Sequence, residues 1–279
     1  MIELGKYHTL TVVRESEQGF YLTKNDEDAI LLPNRYIPEG LQVDDDIIVF
    51  VYSDSQGRPI ATTLEPKLTL HEFACLEVTS VTDFGAFVDW GIAKELLVPF
   101  REQEQRLKEG QHCIVYLFYD EVSNRLVGSN RIKRHLDNED ITLTREDEVN
   151  ALVYDESDAG YKVVVNNLHD GLIYRNEVFQ EVNIGDLFTA YVKKVRDDGK
   201  IDLQLQPPGY SKVAPNAGKI LQTIKENGGW LPLTDKSKPE DITEKLSMSK
   251  KTFKKAIGSL YKQKLIDLKD DGIYLKTKK

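Results

Sequence analysis

The chain has 279 residues, 40% of them hydrophobic, enough for two to four small domains with packed cores. No apolar run approaches the roughly 18 residues of a membrane span, and Met1-Ile2-Glu3-Leu4-Gly5 has no basic region followed by an apolar stretch, so neither a membrane anchor nor a secretory signal is expected. The formal net charge of −9 argues against a simple nucleic-acid binder, because phosphate contacts need cations.

Read in chain order, one layout recurs three times. A turn with glycine opens each unit: Ser16-Glu17-Gln18-Gly19-Phe20-Tyr21, Thr82-Asp83-Phe84-Gly85-Ala86-Phe87 and Ser157-Asp158-Ala159-Gly160-Tyr161-Lys162. An apolar triplet follows: Ile30-Leu31-Leu32, Leu96-Leu97-Val98 and Gly171-Leu172-Ile173. A basic residue comes within a few positions of each triplet: Arg35, Arg101 and Arg175. Fourth strands are predicted at Ile47–Tyr52, Cys113–Phe118 and Leu187–Val195, preceded by Asp44, Gly110 and Gly185 in turn. Fifth strands are predicted at Pro59–Thr63, Arg125–Gly128 and Lys200–Leu205. Three five-strand units at a spacing of about 65–75 residues predict a tandem array of small barrels. Each glycine taken singly reads as a plain hairpin turn; the repeated register suggests more.

The most specific of these segments is the middle one. Glu77–Val81 reads as a strand, and Asp83-Phe84-Gly85-Ala86-Phe87-Val88-Asp89 follows it almost directly. This segment resembles the hallmark of the S-one domain, an RNA-binding OB-fold. The resemblance implies an RNA face of aromatics on strands two and three with basic residues around them. By position these are Phe84 and Phe87 here. The family often carries a histidine after its third strand; here Val98-Pro99-Phe100-Arg101 stands in that place, so Phe100 is the candidate stacker and Arg101 the phosphate contact. The closing strand, Arg125-Leu126-Val127-Gly128-Ser129-Asn130, departs from the family's Leu-Ser ending. Phe84 lies at the turn and is expected to be exposed, whereas Phe87 reads either as a stacker or as a core residue.

The flanking units differ in chemistry. The first offers Phe20, Tyr21 and Arg35 but carries Asp26-Glu27-Asp28 and Asp44-Asp45-Asp46, so a structural or protein-contacting role is expected for it. Asp44–Asp46 reads as a solvated acidic turn rather than a metal site. The third offers Tyr161, Lys162 and Arg175, with Lys193, Lys194 and Arg196 on its fourth strand. That trio reads as the best basic cluster in the array, against the alternative of an ordinary exposed strand face.

Pro207-Pro208-Gly209 breaks the last strand and reads as a linker. Ala217, Ile220, Leu221 and Ile224 then recur at helical spacing, and Asn227-Gly228-Gly229 supplies a C-cap. A second helix is predicted from Pro239, with Ile242 and Leu246 inward. Ser247-Met248-Ser249 forms a turn, and Ser249 caps a third helix with the stripe Phe253, Ile257, Leu260 and Tyr261. A hairpin over 265–275 with a glycine turn completes a winged helix. Lys250, Lys251, Lys254 and Lys255 fall largely off the apolar stripe, as a nucleic-acid surface or as a solvated face. Residues 208–279 hold 16 lysines, no arginine and 8 acidic residues, a balance of +8 against −17 over residues 1–207. Electrostatic attraction to nucleic acid is therefore expected to be strongest toward the third barrel and the tail, along a continuous cationic path. The lack of arginine in the tail weakens base-specific readout.

The predicted fold is mainly β and multidomain: three five-stranded OB-type barrels at 1–65, 66–137 and 145–207, then an α+β winged helix at 213–279. Three such barrels and one winged helix resemble the bacterial conserved virulence factor B family, and the Lys250–Gly258 and Gly272–Leu275 segments look like that family's tail. The resemblance covers essentially the whole chain. It implies a cytoplasmic, RNA-binding regulator of gene expression, virulence factors included, that grips single-stranded RNA. Two other readings stand beside it: a duplex-DNA-binding transcription regulator using the winged helix, and a ribosome- or polymerase-associated scaffold that docks protein. No phosphate loop, nucleophile elbow or spaced metal-ligand set is present, so neither catalysis nor a cofactor or metal is expected. Cys75 and Cys113, in apolar strand contexts, are expected as buried reduced thiols of a cytosolic protein.

Overall fold

A computed structural model describes residues 2–24, 29–178, 181–207, 215–262 and 265–276. Asp26–Asp28 and Pro208-Gly209 of the sequence reading lie outside these residues. The chain separates into two compact units, Met1–Leu205 and Gln206–Lys279.

The first unit contains the three repeats. Barrel one is β1 (Lys6–Ser16), β2 (Gly19–Thr23), β3 (Ile30–Pro33), β4 (Asp46–Ser53) and β5 (Pro59–Thr62), closed in the order β1-β2-β3-β5-β4. The second repeat is β6 (Phe73–Val81), β7 (Gly85–Asp89), β8 (Leu96–Pro99), β9 (His112–Asp120) and β10 (Arg125–Ser129). Barrel three is β11 (Glu148–Ser157), β12 (Gly160–Val165), β13 (His169–Tyr174), β14 (Leu187–Val195) and β15 (Ile201–Gln204), closed in the same order as the first. The second repeat has the same strand neighbours, β10-β9-β6-β7-β8, but its last seam carries no backbone ladder. There Gly128 of β10 lies against the side chains of Val98 and Leu96 of β8, so side-chain packing holds the seam that hydrogen bonds hold in the other two.

The repeated glycine has a stricter role than a hairpin turn. Gly19, Gly85 and Gly160 take φ of +145°, +154° and +151°. A Cβ at each would stand 2.0, 2.3 and 2.1 Å from the carbonyl oxygen of Leu32, Val98 and Ile173 respectively. The backbone of the next strand occupies the space a side chain would need. In each turn a hydroxyl three residues earlier donates to the glycine carbonyl: Ser16 at 2.8 Å, Thr82 at 3.2 Å and Ser157 at 3.0 Å. The first strand of each repeat is bulged at the equivalent place, between Val12 and Arg14, Val78 and Ser80, and Val153 and Asp155. Asp44, Gly110 and Gly185 also coincide, at φ of 75°, 75° and 99°, each donating its N–H back to the first strand. Aspartate tolerates the left-handed conformation there, because its short polar side chain can hydrogen-bond locally.

Adjacent repeats are bonded through shared cores. Phe50 and Tyr52 of barrel one join the core of the second repeat, where Trp90 meets Phe50 edge-on with ring centroids 5.7 Å apart. The Lys94 ammonium crosses the same joint to the carbonyls of Ser53 and Asp54 at 2.7 and 2.9 Å. Between the second and third repeats, Phe73, Ile114 and Ile132 pack with Leu152 and Val164. Cys113 is buried, which pushes its thiol up to about 12, whereas Cys75 is only partly buried and faces Gly185.

The second unit contains α1 (Pro215–Glu226), β16 (Trp230–Leu231), α2 (Pro239–Leu246), α3 (Lys250–Lys262), β17 (Ile266–Lys269) and β18 (Gly272–Leu275), with sheet order β16-β18-β17. This is a winged helix. Ser247 ends α2 in the left-handed conformation, and the Ser249 hydroxyl accepts from the Thr252 N–H at 3.2 Å to start α3. The buried stripe of α3 is Phe253, Ala256, Ile257 and Leu260. Tyr261, expected in that stripe, is 54% exposed, because it lies at the stripe's outer edge, about 100° round the helix from Leu260. The short β16 strand was not foreseen; two residues are too few to show alternation.

Candidate nucleic-acid interface

The turn between β6 and β7 presents Phe84 at the surface, 76% exposed. An isolated exposed phenylalanine gains nothing for folding, so its rigid placement is informative. Thr82 fixes the turn: its hydroxyl accepts from the Phe84 N–H at 3.3 Å, and its N–H and hydroxyl both donate to Gly85. The Phe84 carbonyl accepts the Phe100 N–H at 3.4 Å. Phe100 and Arg101 open a 3₁₀ turn, Phe100–Glu102, directly after β8. The tight glycine contact under Val98 thus brings two aromatics and one arginine together.

Phe87 is half-buried and lies on the outward face of β7 beside Leu97, outside the core. Phe100 is also half-buried and already carries the Arg106 guanidinium 3.6 Å above its ring. Arg101 is largely exposed, with one nitrogen 2.8 Å from Asp120. The Ser123 hydroxyl and then the Arg101 charge hold the Asp120 carboxyl below its ordinary range.

The first barrel has a matching aromatic. Tyr21 stands where Phe87 does, with Arg14 stacked 3.7 Å over its ring. Phe20 is only 8% exposed and belongs to the core. In the acidic turn, Asp45 accepts the Gln42 N–H at 2.8 Å and Asp46 accepts the Thr11 hydroxyl at 2.6 Å. Among the described residues no group of His, Cys, Asp or Glu is placed to hold a metal ion.

In the third barrel the candidate cations face carboxylates. Lys162 reaches Asp155 at 2.6 Å, Arg175 reaches Glu156 at 2.8 Å, and Arg196 reaches Asp202 at 2.8 Å and the Tyr174 hydroxyl. Lys193 bonds Glu177. Lys194 alone of the predicted set in this barrel has no acidic partner among the described residues. Arg175 opens its 3₁₀ turn, so it matches Phe100 rather than Arg101; Asn176 takes the arginine place. Its guanidinium stands 5.4 Å from the half-buried Tyr161 ring. Arg196 follows β14 by one residue and is not on the strand.

In the second unit, Lys251, Lys254 and Lys255 are exposed on α3, and Lys250 is half-buried, reaching the Lys236 carbonyl at 3.5 Å. Sequence reasoning missed Arg14, Arg106 and the run Arg131-Ile132-Lys133-Arg134. The run was legible as a cluster of cations but sits in a connection where no repeat position drew attention to it.

The sequence is similar to known domain families and proteins. An S1 domain model matches residues 4–64 and 72–129, and a CvfB-like winged helix domain model matches residues 218–275. An uncharacterized protein, YitL, of Bacillus subtilis (strain 168) is 31% identical over 92% of this chain and 89% of its own. Conserved virulence factor B of Staphylococcus aureus (strain N315) is 29% identical over 86% of this chain and 82% of its own. A crystal structure of a multidomain protein with nucleic acid binding domains from Streptococcus pneumoniae TIGR4 is 27% identical over 98% of both chains, with a TM-score of 0.43.

Proposed function

This chain belongs to the conserved virulence factor B family, and from that premise we propose that it is an RNA-binding regulator of bacterial gene expression, virulence factors included. Nucleic-acid binding follows from its S1 domains and winged helix. The proposal is that the ligand is single-stranded RNA, that the protein works in the cytoplasm, and that it acts by binding rather than catalysis. No helix among the described residues is long and apolar enough to cross a membrane.

The observation that carries this reading is Phe84, exposed on a turn of fixed shape beside Phe100 and Arg101. A single strand offers unstacked bases to such an aromatic, worth roughly 1–3 kcal/mol per base, whereas duplex bases are already stacked. In this reading Phe84, Phe87 and Phe100 stack bases while Arg101 holds a phosphate. Tyr161, Lys162, Arg175, Lys193, Lys194 and Arg196 extend the surface in the third barrel, and Lys250, Lys251, Lys254 and Lys255 form the winged-helix contact.

The test is titration of a labelled single-stranded RNA at about 50 and 200 mM salt, with duplex DNA as competitor. Affinity that falls with salt and resists duplex competition is expected. Absence of binding at low salt, or a sequence-preferring win by the duplex, overturns the proposal. Phe84→Ala should weaken RNA binding about 5- to 100-fold with almost no change in salt slope, because stacking releases no counterions. Filter binding at three salt concentrations separates that outcome from a lost phosphate contact, which lowers the slope.

A further inference from the structure

A cation already paired to a carboxylate has part of its charge neutralised and attracts a phosphate less strongly than an unpaired one. Most third-barrel candidates are in that state. Arg131, Lys133 and Arg134 are not: among the described residues none of them has a carboxylate at ion-pair distance. They belong to the connection between the second and third repeats, where a 3₁₀ turn runs Ile132–His135.

That turn is firmly seated. Ile132 is 4% exposed and packs with Phe73 and Ile114 on one side and Leu152 and Val164 on the other. The Asn130 amide donates to the Ile114 carbonyl at 2.9 Å, and the His135 ring stacks on Tyr116 with centroids 4.1 Å apart and planes 20° apart. Burying Ile132 and stacking His135 leaves Lys133 and Arg134 in solvent. The turn therefore holds its charges in place before any ligand arrives.

Its position links two surfaces. The Arg131 Nε donates to the Arg101 carbonyl at 2.8 Å, joining the turn to the Phe84, Phe100 and Arg101 face. On the other side lies Asp155 of barrel three. Burial opposes ionisation of Asp155, but hydrogen bonds from Lys162 and the Glu156 N–H outweigh it, with Lys133 adding a smaller lowering. Asp155 is committed to Lys162 at 2.6 Å, and Glu102 accepts the Ser129 hydroxyl at 2.9 Å.

We propose that Arg131, Lys133 and Arg134 form a phosphate-binding bridge at this joint, carrying the backbone of a single strand from the aromatic face of the second repeat onto barrel three. This inference rests on the single-stranded RNA reading above. The bridge explains how two small barrels act on one continuous strand: shared packing at Ile132 fixes their spacing, and the turn supplies unpaired charge between them.

The experiment uses the full chain and a fluorescein-labelled oligouridylate of about 15 nucleotides, long enough to pass beyond one barrel. Lys133→Ala/Arg134→Ala is compared with the wild type by anisotropy across a salt series. Removal of two phosphate contacts should lower affinity on the order of tenfold near 0.1 M salt and reduce the log–log salt slope by about 1.4. Both side chains are exposed, so the melting temperature should be unchanged. Lys24→Ala/Lys200→Ala removes equal charge from exposed sites in barrels one and three and should leave affinity near the wild-type value. An unchanged slope in the bridge variant, or an equal loss in the control pair, overturns the bridge while leaving RNA binding intact. A wild type that does not bind the oligonucleotide overturns the RNA reading itself, and the bridge with it.

Discussion

Gly85→Ala should unfold the middle barrel's hairpin, at a cost of about 3–5 kcal/mol, far beyond an ordinary turn glycine. The added methyl would sit 2.3 Å from the Val98 carbonyl oxygen and 2.8 Å from the Pro99 Cα. Both are backbone atoms of β8, so no side-chain rotation relieves the clash; β7 and β8 must separate. The positive φ of +154° adds strain of its own. Gly57→Ala is the matched control, with φ of +83° and nothing within 4 Å of the new atom. It should cost only about 1–2 kcal/mol, the ordinary penalty of a left-handed alanine. Urea denaturation of the two variants decides the matter. Equal losses would mean that the glycine serves as a turn residue and that close strand approach is unimportant. Because Phe84 and Phe100 flank this contact, the Gly85 variant should also lose RNA binding, while the Gly57 variant should keep it.

The second large effect is expected in the winged helix. Replacing Lys250, Lys251, Lys254 and Lys255 with alanine should lower RNA affinity on the order of a hundredfold near 0.1 M salt. The slope of log K against log salt should fall by about 0.7 for each phosphate contact removed. The fold should survive. The stripe that packs α3 is Phe253, Ala256, Ile257 and Leu260, and alanine is the strongest helix former. A chain ending at Pro207 should likewise lose most affinity, since the +8 segment is gone and −17 remains. Residues 1–205 form a compact unit with cores of their own, so circular dichroism should report an intact β protein. If the shortened chain binds as tightly as the full one, the winged helix is a docking module and phosphate contact lies elsewhere.

These two expectations bear on different kinds of information. The register of turn, triplet and closing strands was readable because each strand alternates locally, and the winged helix because its helices keep their apolar spacing and caps. Asp44 was matched to Gly110 and Gly185 from order alone, and the shared left-handed conformation bears that out. Phe84 was legible as an exposed aromatic because a turn has no inner face.

What local pattern could not decide were the partners. Lys162, Arg175, Lys193 and Arg196 read as free cations in sequence, yet Asp155, Glu156, Glu177 and Asp202 reach them from other strands and turns. Phe20 and Tyr161 hold the same place after their glycines, but one is buried and the other half-exposed, according to what each barrel packs against it. The open β8–β10 seam, the offset of Arg175 and the seating of Ile132 between two barrels are likewise settled by neighbours distant in the chain. Alternation and capping act within a few residues, so the order of residues determined the elements and their sequence. Charge pairing, close backbone approach and shared cores depend on distances in space, and only the tertiary structure sets those.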